Sequence, residues 1–308
     1  MTSKRELLRT QRSWALSQGL KPDTRGNLAD VADNLFRPLS AAALAAFEEG
    51  GGAELKDRPR APAKMKALHS SAVLAVNFFD HWTERDCEPL LQALGTHEPL
   101  RAPPRFEAQL PIGLTGNPPN LDVLLELESG ALIGIESKFT EWLSRKRRGR
   151  QLFKSKYFEN RAELWSRNGL PRCQSLVADL VSGAESYRTL DAAQLLKHAL
   201  GLAVNCPSSF ALYYLYYDVP CPASKTHREE LLTFGERVGA ELRFEPLTYQ
   251  ELFRRLSASG RADAEYLAYL ESRYFRLRAS FCAQRFDLAG RYAGLCLLPC
   301  HQQPTKGV

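Results

Sequence analysis

The sequence predicts an α/β fold: a central mixed β-sheet flanked by helices, with further helical segments before and after it. Three observations carry this. Residues 131–135, ALIGI, are apolar without alternation, the pattern of an internal strand covered on both faces. A helical stretch at 191–205 runs directly into an apolar, aromatic strand, FALYYLYYD at 210–218. A second helix at 227–242 then leads into LRFEPLTY at 242–249, and a crossover helix of this length is what parallel strands need.

Taken in order, the first 65 residues read as a helical extension and linker. In LADVADNLFRPLSAAALAAFEEG (28–50) the helical period breaks at Pro38; Ser40 is placed to cap a helix and the glycines at 50–52 to stop it. LKDRPRAPAK (55–64) is proline-rich and basic, an arm across the surface. The core is expected over residues 66–256. Ser70 caps SSAVLAVNFFDHW, a helix whose apolar face packs on the sheet, and CEPLLQAL (87–94) is a second amphipathic piece ending at Gly95. RFEAQLPIGL (105–114) gives the first strand, with Pro111 marking an edge or distortion. YFENRAELW (157–165) reads as a helix stopped at 168–171. DAAQLLKHALGLAVN (191–205) begins at Asp191, a suitable cap, with Leu195, Leu196, Ala199, Leu200 and Leu202 on its apolar face. His198 on that helix reads as a helix-surface or packing residue rather than a general base, and the tyrosines at 213, 214, 216 and 217 as core filling rather than a stacking platform. Residues 257–308 form a C-terminal helical extension that includes AEYLAYLESRYF.

The chemistry gathers in residues 120–142, NLDVLLELESGALIGIESKFTEW. Two apolar strands are joined by a turn at Ser129 and Gly130. Side chains alternate along a strand, so Glu136 and Lys138 project from one face at its open end, and pairing with the first arm brings Asp122 beside Glu136. Two carboxylates and an ammonium at the rim of an apolar sheet can hold a hard divalent cation and order a water beside it. An acid and a lysine two apart also occur as a plain surface pair. Here they follow a doubly covered strand, where unpartnered charge is costly, and that favours a site.

Asp122 followed by Glu136-x-Lys138 across a short hairpin resembles the active-site signature of the PD-(D/E)XK nuclease superfamily, the restriction-endonuclease-like fold. Leu121 stands where the proline is usual, with Pro118 and Pro119 slightly upstream. The helix, three-strand, helix, strand order of residues 70–218 fits that core. The resemblance implies a metal-dependent nuclease, most simply a DNA endonuclease of restriction or repair type. Asp122 and Glu136 would bind Mg²⁺, with Mn²⁺ as a substitute and the Ser137 carbonyl as a further donor. Lys138 would orient water or stabilise the phosphorane. It also implies an additional acid, for which Glu107 is the candidate beside its reading as a solvated strand acid, and a helix residue near the scissile phosphate, here Gln194. Glu141 either supports the site or caps the next element.

Charge placement points the same way. The chain carries a net charge of +6, modest in itself. Within 145–156, however, Arg145, Lys146, Arg147, Arg148, Arg150, Lys154 and Lys156 occur without an acid, seven residues after Lys138. Such a run is either a solvated loop or a clamp on the DNA phosphate backbone. No run of about eighteen apolar residues predicts a membrane span. The charged N-terminus lacks a signal-peptide core, and seven scattered cysteines suit a reducing cytoplasm. Cys296, Cys300 and His301 lack a second ligand pair and do not read as a zinc site. A homodimer would suit two-strand cutting. The competing reading is a non-catalytic nucleic-acid-binding or scaffold protein that retains the fold.

Overall fold

The computed structural model describes residues 3–50, 53–144, 152–158, 163–206 and 209–275. Two N-terminal helices, α1 (Ser3–Ser17) and α2 (Ala41–Glu49), precede α3 (Ser71–Phe79) and α4 (Glu88–Leu94). The sheet strands are β1 (Arg105–Gln109), β2 (Asn120–Glu126) and β3 (Leu132–Lys138). Then follow α5 (Pro171–Ser182), α6 (Ala192–Asn205), β4 (Phe210–Tyr216), α7 (Pro222–Val238), β5 (Arg243–Thr248), α8 (Tyr249–Ala258) and α9 (Ala264–Leu270). These strands form one five-stranded mixed sheet in the order β1-β2-β3-β4-β5. The first three pair antiparallel, and β3, β4 and β5 run parallel. Helices flank the sheet and lie at both ends of the described chain, which packs as one compact unit up to Phe275.

The caps act where the sequence places them. Ser40 accepts from Ala43 N at 3.1 Å, Ser70 from Val73 N at 3.3 Å and Asp191 from Gln194 N at 3.1 Å, so α2, α3 and α6 each start on a satisfied backbone donor. Gly95 ends α4 at φ +85°, in the left-handed region where a side chain would be strained. Tyr213, Tyr214, Tyr216 and Tyr217 are all buried, as a strand covered on both sides requires.

Two expectations fail. Residues 28–37 hold only a short 3₁₀ turn at Ala32–Asn34 ahead of Pro38. The described part of 157–165 is likewise not an α-helix; 3₁₀ turns occupy Ser155–Tyr157 and Ser166–Asn168. Pro171 does not act as a stop. It stands at the first position of α5, where its missing N–H is no loss.

Close packing on β3 depends on one glycine. A Cβ at Gly134 would lie 2.7 Å from Leu121 Cδ1 and 3.0 Å from Leu202 Cδ1, so a bare Cα lets α6 settle against the strand. The motif-bearing end of β3 is thereby set beneath the first turns of α6.

Candidate active site

The ladders bring three acids into a row. Phe106 pairs with Val123 and Ala108 with Leu121, so Glu107 and Asp122 face each other between these rungs. Val123 pairs with Ile135, and one rung further Asp122 stands across from Glu136. At that point the backbone ladder opens, and the Asp122 carboxylate accepts Ser137 N–H at 2.7 Å. Glu136 continues the row to Tyr214 on β4.

Alternation then sorts β3 between its two faces. Glu136 and Lys138 face α6, while the Ser137 hydroxyl meets Tyr249 OH at 2.6 Å and donates to Ser71 O at 3.3 Å, on the side of α8 and α3. Lys138 Nζ bonds Glu136 Oε1 and also donates to Gln194 Oε1 at 3.2 Å. His198 Nε2 stands 2.9 Å from Glu136 Oε2, in direct contact but not aligned as a hydrogen bond. Gln194 and His198 are four residues apart, hence on one face of α6. The Glu136 side chain is 2% exposed and that of Lys138 15%, so these charges interact through protein more than through water.

Protonation follows from that crowding. Burial pushes the Asp122 carboxyl well above its ordinary value, and the neighbouring Glu136 charge adds to it. Burial opposes ionisation of Glu136 too, but Lys138 and then His198 hold its carboxyl down at about 2. The Lys138 ammonium, pulled down by burial, is held above its usual range by Glu136 and Asp122. Burial also raises Glu107, whose carboxylate accepts from Asn120 Nδ2. Glu107 has φ +45°, an uncommon conformation for a residue with a Cβ, and the C-terminal end of α2 rests on it at Gly50.

The expected residues are therefore distributed as follows. Asp122, Glu136, Lys138 and Gln194 come together, and Glu107 flanks Asp122 from the edge strand. Ser137 supplies its N–H to Asp122 and turns its hydroxyl to the opposite face. Glu141 caps backbone, accepting from Phe139 N at 2.8 Å and Thr140 N at 2.9 Å. Arg145, Lys146, Arg147, Arg148 and Arg150 lie outside the described residues, as do Cys296, Cys300 and His301. Lys154 is exposed, whereas Lys156 donates to Thr115 O at 2.7 Å and Asn117 O at 3.2 Å, tying its segment to the loop between β1 and β2. Two neighbours escaped sequence reasoning. His198 faces Glu136, not the apolar core alone. Glu54, paired with Lys64 at 2.5 Å in the N-terminal arm, bears on the charge of Glu107. The four-residue spacing from Gln194 was the available signal for His198; nothing in the sequence marked Glu54.

Among the described residues no group of three or more His, Cys, Asp and Glu side chains is arranged as a metal cage. The donors at the rim are the two carboxylates of Asp122 and Glu136. No helix among the described residues is long and apolar enough to cross a membrane.

The fold, this rim of acids and lysine, and comparison with known families agree on the class, a restriction-endonuclease-like protein. The chain belongs to the family described as "Restriction Endonuclease associating with ARP", whose model matches residues 17–275. No curated protein matches it, and no solved structure does.

Proposed function

We propose that this protein is a metal-dependent nuclease of the PD-(D/E)XK type that hydrolyses phosphodiester bonds in DNA, with a restriction or repair role. The observation that carries this reading is the meeting of Asp122, Glu136 and Lys138 at one end of β3, under Gln194. The acids fit a hard divalent cation. Asp122 is pushed toward its neutral form beside ionised Glu136 despite Lys138, and a cation would add the positive charge that favours its ionised form. Two carboxylates suffice for Mg²⁺, which retains several waters and takes the rest of its ligation from substrate phosphate; Mn²⁺ suits the same oxygens. When bound, the ion polarises the phosphoryl group and acidifies water.

The chain's own residues supply the rest. Asp122 and Glu136 hold the ion, with the Ser137 carbonyl as the proposed third protein oxygen. Lys138 orients the attacking water or neutralises charge growing on the phosphorus oxygens. Gln194 accepts from the Lys138 ammonium and keeps it at the rim. Glu107 adds negative charge beside Asp122. Lys154, Lys156 and the arginines and lysine at 145–150 neutralise DNA phosphates, so binding weakens as salt rises. A homodimer would cut both strands of a duplex.

The test is incubation of purified protein with plasmid, linear duplex and single-stranded DNA, with and without Mg²⁺. Asp122→Ala and Glu136→Ala are expected to abolish Mg²⁺-dependent cleavage with circular dichroism unchanged. Lys138→Ala should lower the rate by roughly 10²–10³-fold while DNA affinity changes less. Full activity in either acid variant removes the proposed roles.

The second reading, a nucleic-acid-binding scaffold, draws on the closure of the site: both Glu136 oxygens already face protein groups, the Lys138 ammonium and the His198 ring. Titration with Mn²⁺ separates the two. Binding that is lost in Asp122→Ala supports the nuclease, and a flat titration supports the scaffold.

A further inference from the structure

His198 is nearly fully buried, yet it sits over a carboxylate, not among hydrocarbon alone. Its Nε2 is 2.9 Å from Glu136 Oε2, while Lys138 engages Glu136 Oε1. One turn earlier on the same helix, Gln194 receives the Lys138 ammonium at 3.2 Å. A single face of α6 thus grips both charged groups of the strand motif, and Asp191 fixes the start of that helix through Gln194 N. A glutamate side chain with three rotatable bonds at the end of a sheet has little besides these two contacts to set its carboxylate plane. On the opposite face Ser137 is pinned by Tyr249, which restrains backbone but cannot orient the Glu136 oxygens.

We propose that His198 is a positioning residue: it holds the Glu136 carboxylate in the orientation that presents it, with Asp122, to a divalent cation. The inference rests on the nuclease reading of this site. It assigns His198 no contact with substrate and no proton transfer. Outer partners that orient a ligating carboxylate typically carry a 10–100-fold share of metal affinity or activity. That share is the measurable consequence.

The experiment compares wild type with His198→Gln, His198→Asn and His198→Leu by calorimetric titration of Mn²⁺ alone, alongside thermal melts and DNA binding. His198→Leu removes the ring nitrogen that meets Glu136 and keeps apolar bulk. It is expected to weaken Mn²⁺ binding about 10–100-fold, whereas His198→Gln, whose amide reaches Glu136, stays within about 3-fold of wild type. His198→Asn is too short to reach and should behave as Leu does, which keeps the test decisive if the Leu variant does not fold. Cleavage by the variants should lose kcat in the same order at unchanged DNA affinity. A purely structural role would move the melting temperature without this Gln-over-Asn recovery. Wild-type Mn²⁺ affinity in His198→Leu or in soluble His198→Asn overturns the proposal, as does His198→Gln binding no better than either. A flat titration of wild type indicts the nuclease reading itself, a result distinct from the others, and the His198 role falls with it.

Discussion

Asp122 stands between two other carboxylates, Glu107 on the edge strand and Glu136 on β3, and it is the member of the row whose ionisation is most strongly disfavoured. This has a stability consequence with a definite sign. A folded-state carboxyl raised above its ordinary 3.8 favours folding below that pH, and the contribution is lost as pH climbs through the raised value. At neutral pH, where the unfolded chain would leave this carboxyl freely ionised, burying Asp122 therefore works against the fold. Asp122→Asn keeps an acceptor for Ser137 N–H without the charge, so it should melt higher than wild type at pH 7. Each kcal/mol relieved appears as about 2–4 °C in Tm, and the advantage should disappear as pH falls toward 4. Mg²⁺ should raise the wild-type Tm at pH 7 and leave the Asn variant unmoved. Glu136 behaves in the opposite sense: its carboxyl is held at about 2, so its stabilising pairing with Lys138 and His198 persists above the ordinary carboxyl range and is lost only in strong acid.

At the scale of elements, the site is the product of β3 lying close beneath α6. Gly134 permits that approach, and Gly134→Ala would force Leu121 and Leu202 aside. Overpacking of this kind costs about 1–3 kcal/mol, read as a lower urea midpoint, and it should lift Gln194 and His198 away from their partners. Much of this arrangement was legible from residue order. The unbroken apolar run before Glu136 marked an internal strand, and Asp191 marked the start of α6, because burial and capping leave local signatures. Other parts were not. Leu170-Pro171 carries the same letters whether proline ends one helix or begins the next, and only packing of α5 against α6 and α7 decides it. For His198, helical spacing says that it shares a face with Gln194 but not that the face meets Glu136. That pairing is set by how α6 lies across the sheet, a long-range property without local trace. The positive φ of Glu107 is equally silent, since glutamate is not the residue such a conformation favours.

Across the whole molecule, the two ends of the described chain are joined through Arg273. It is buried, lies 4.1 Å over the Trp14 ring of α1, donates to Asn34 Oδ1, and its carbonyl accepts from Gln11 at 3.1 Å. Asn34 in turn donates to Met65 O at 2.7 Å and Ala67 O at 2.9 Å, just before α3. Among the described residues no carboxylate pairs with this guanidinium, so aromatic faces, the Asn34 amide oxygen and the Tyr269 hydroxyl hold the charge. Arg273→Ala is expected to lower unfolding free energy in urea by about 1–3 kcal/mol, and Asn34→Ala similarly. The double variant should lose less than the sum, because the two residues share one bond.

Among the described residues the sheet has two margins, β1 and β5. Glu107 bends the first out of extended backbone, and α2 lies along that strand. Pro246 sits in the second and has no N–H to offer. Each flank thus carries one residue that interrupts regular strand geometry, which opposes the zippering of copies into a continuous β-structure.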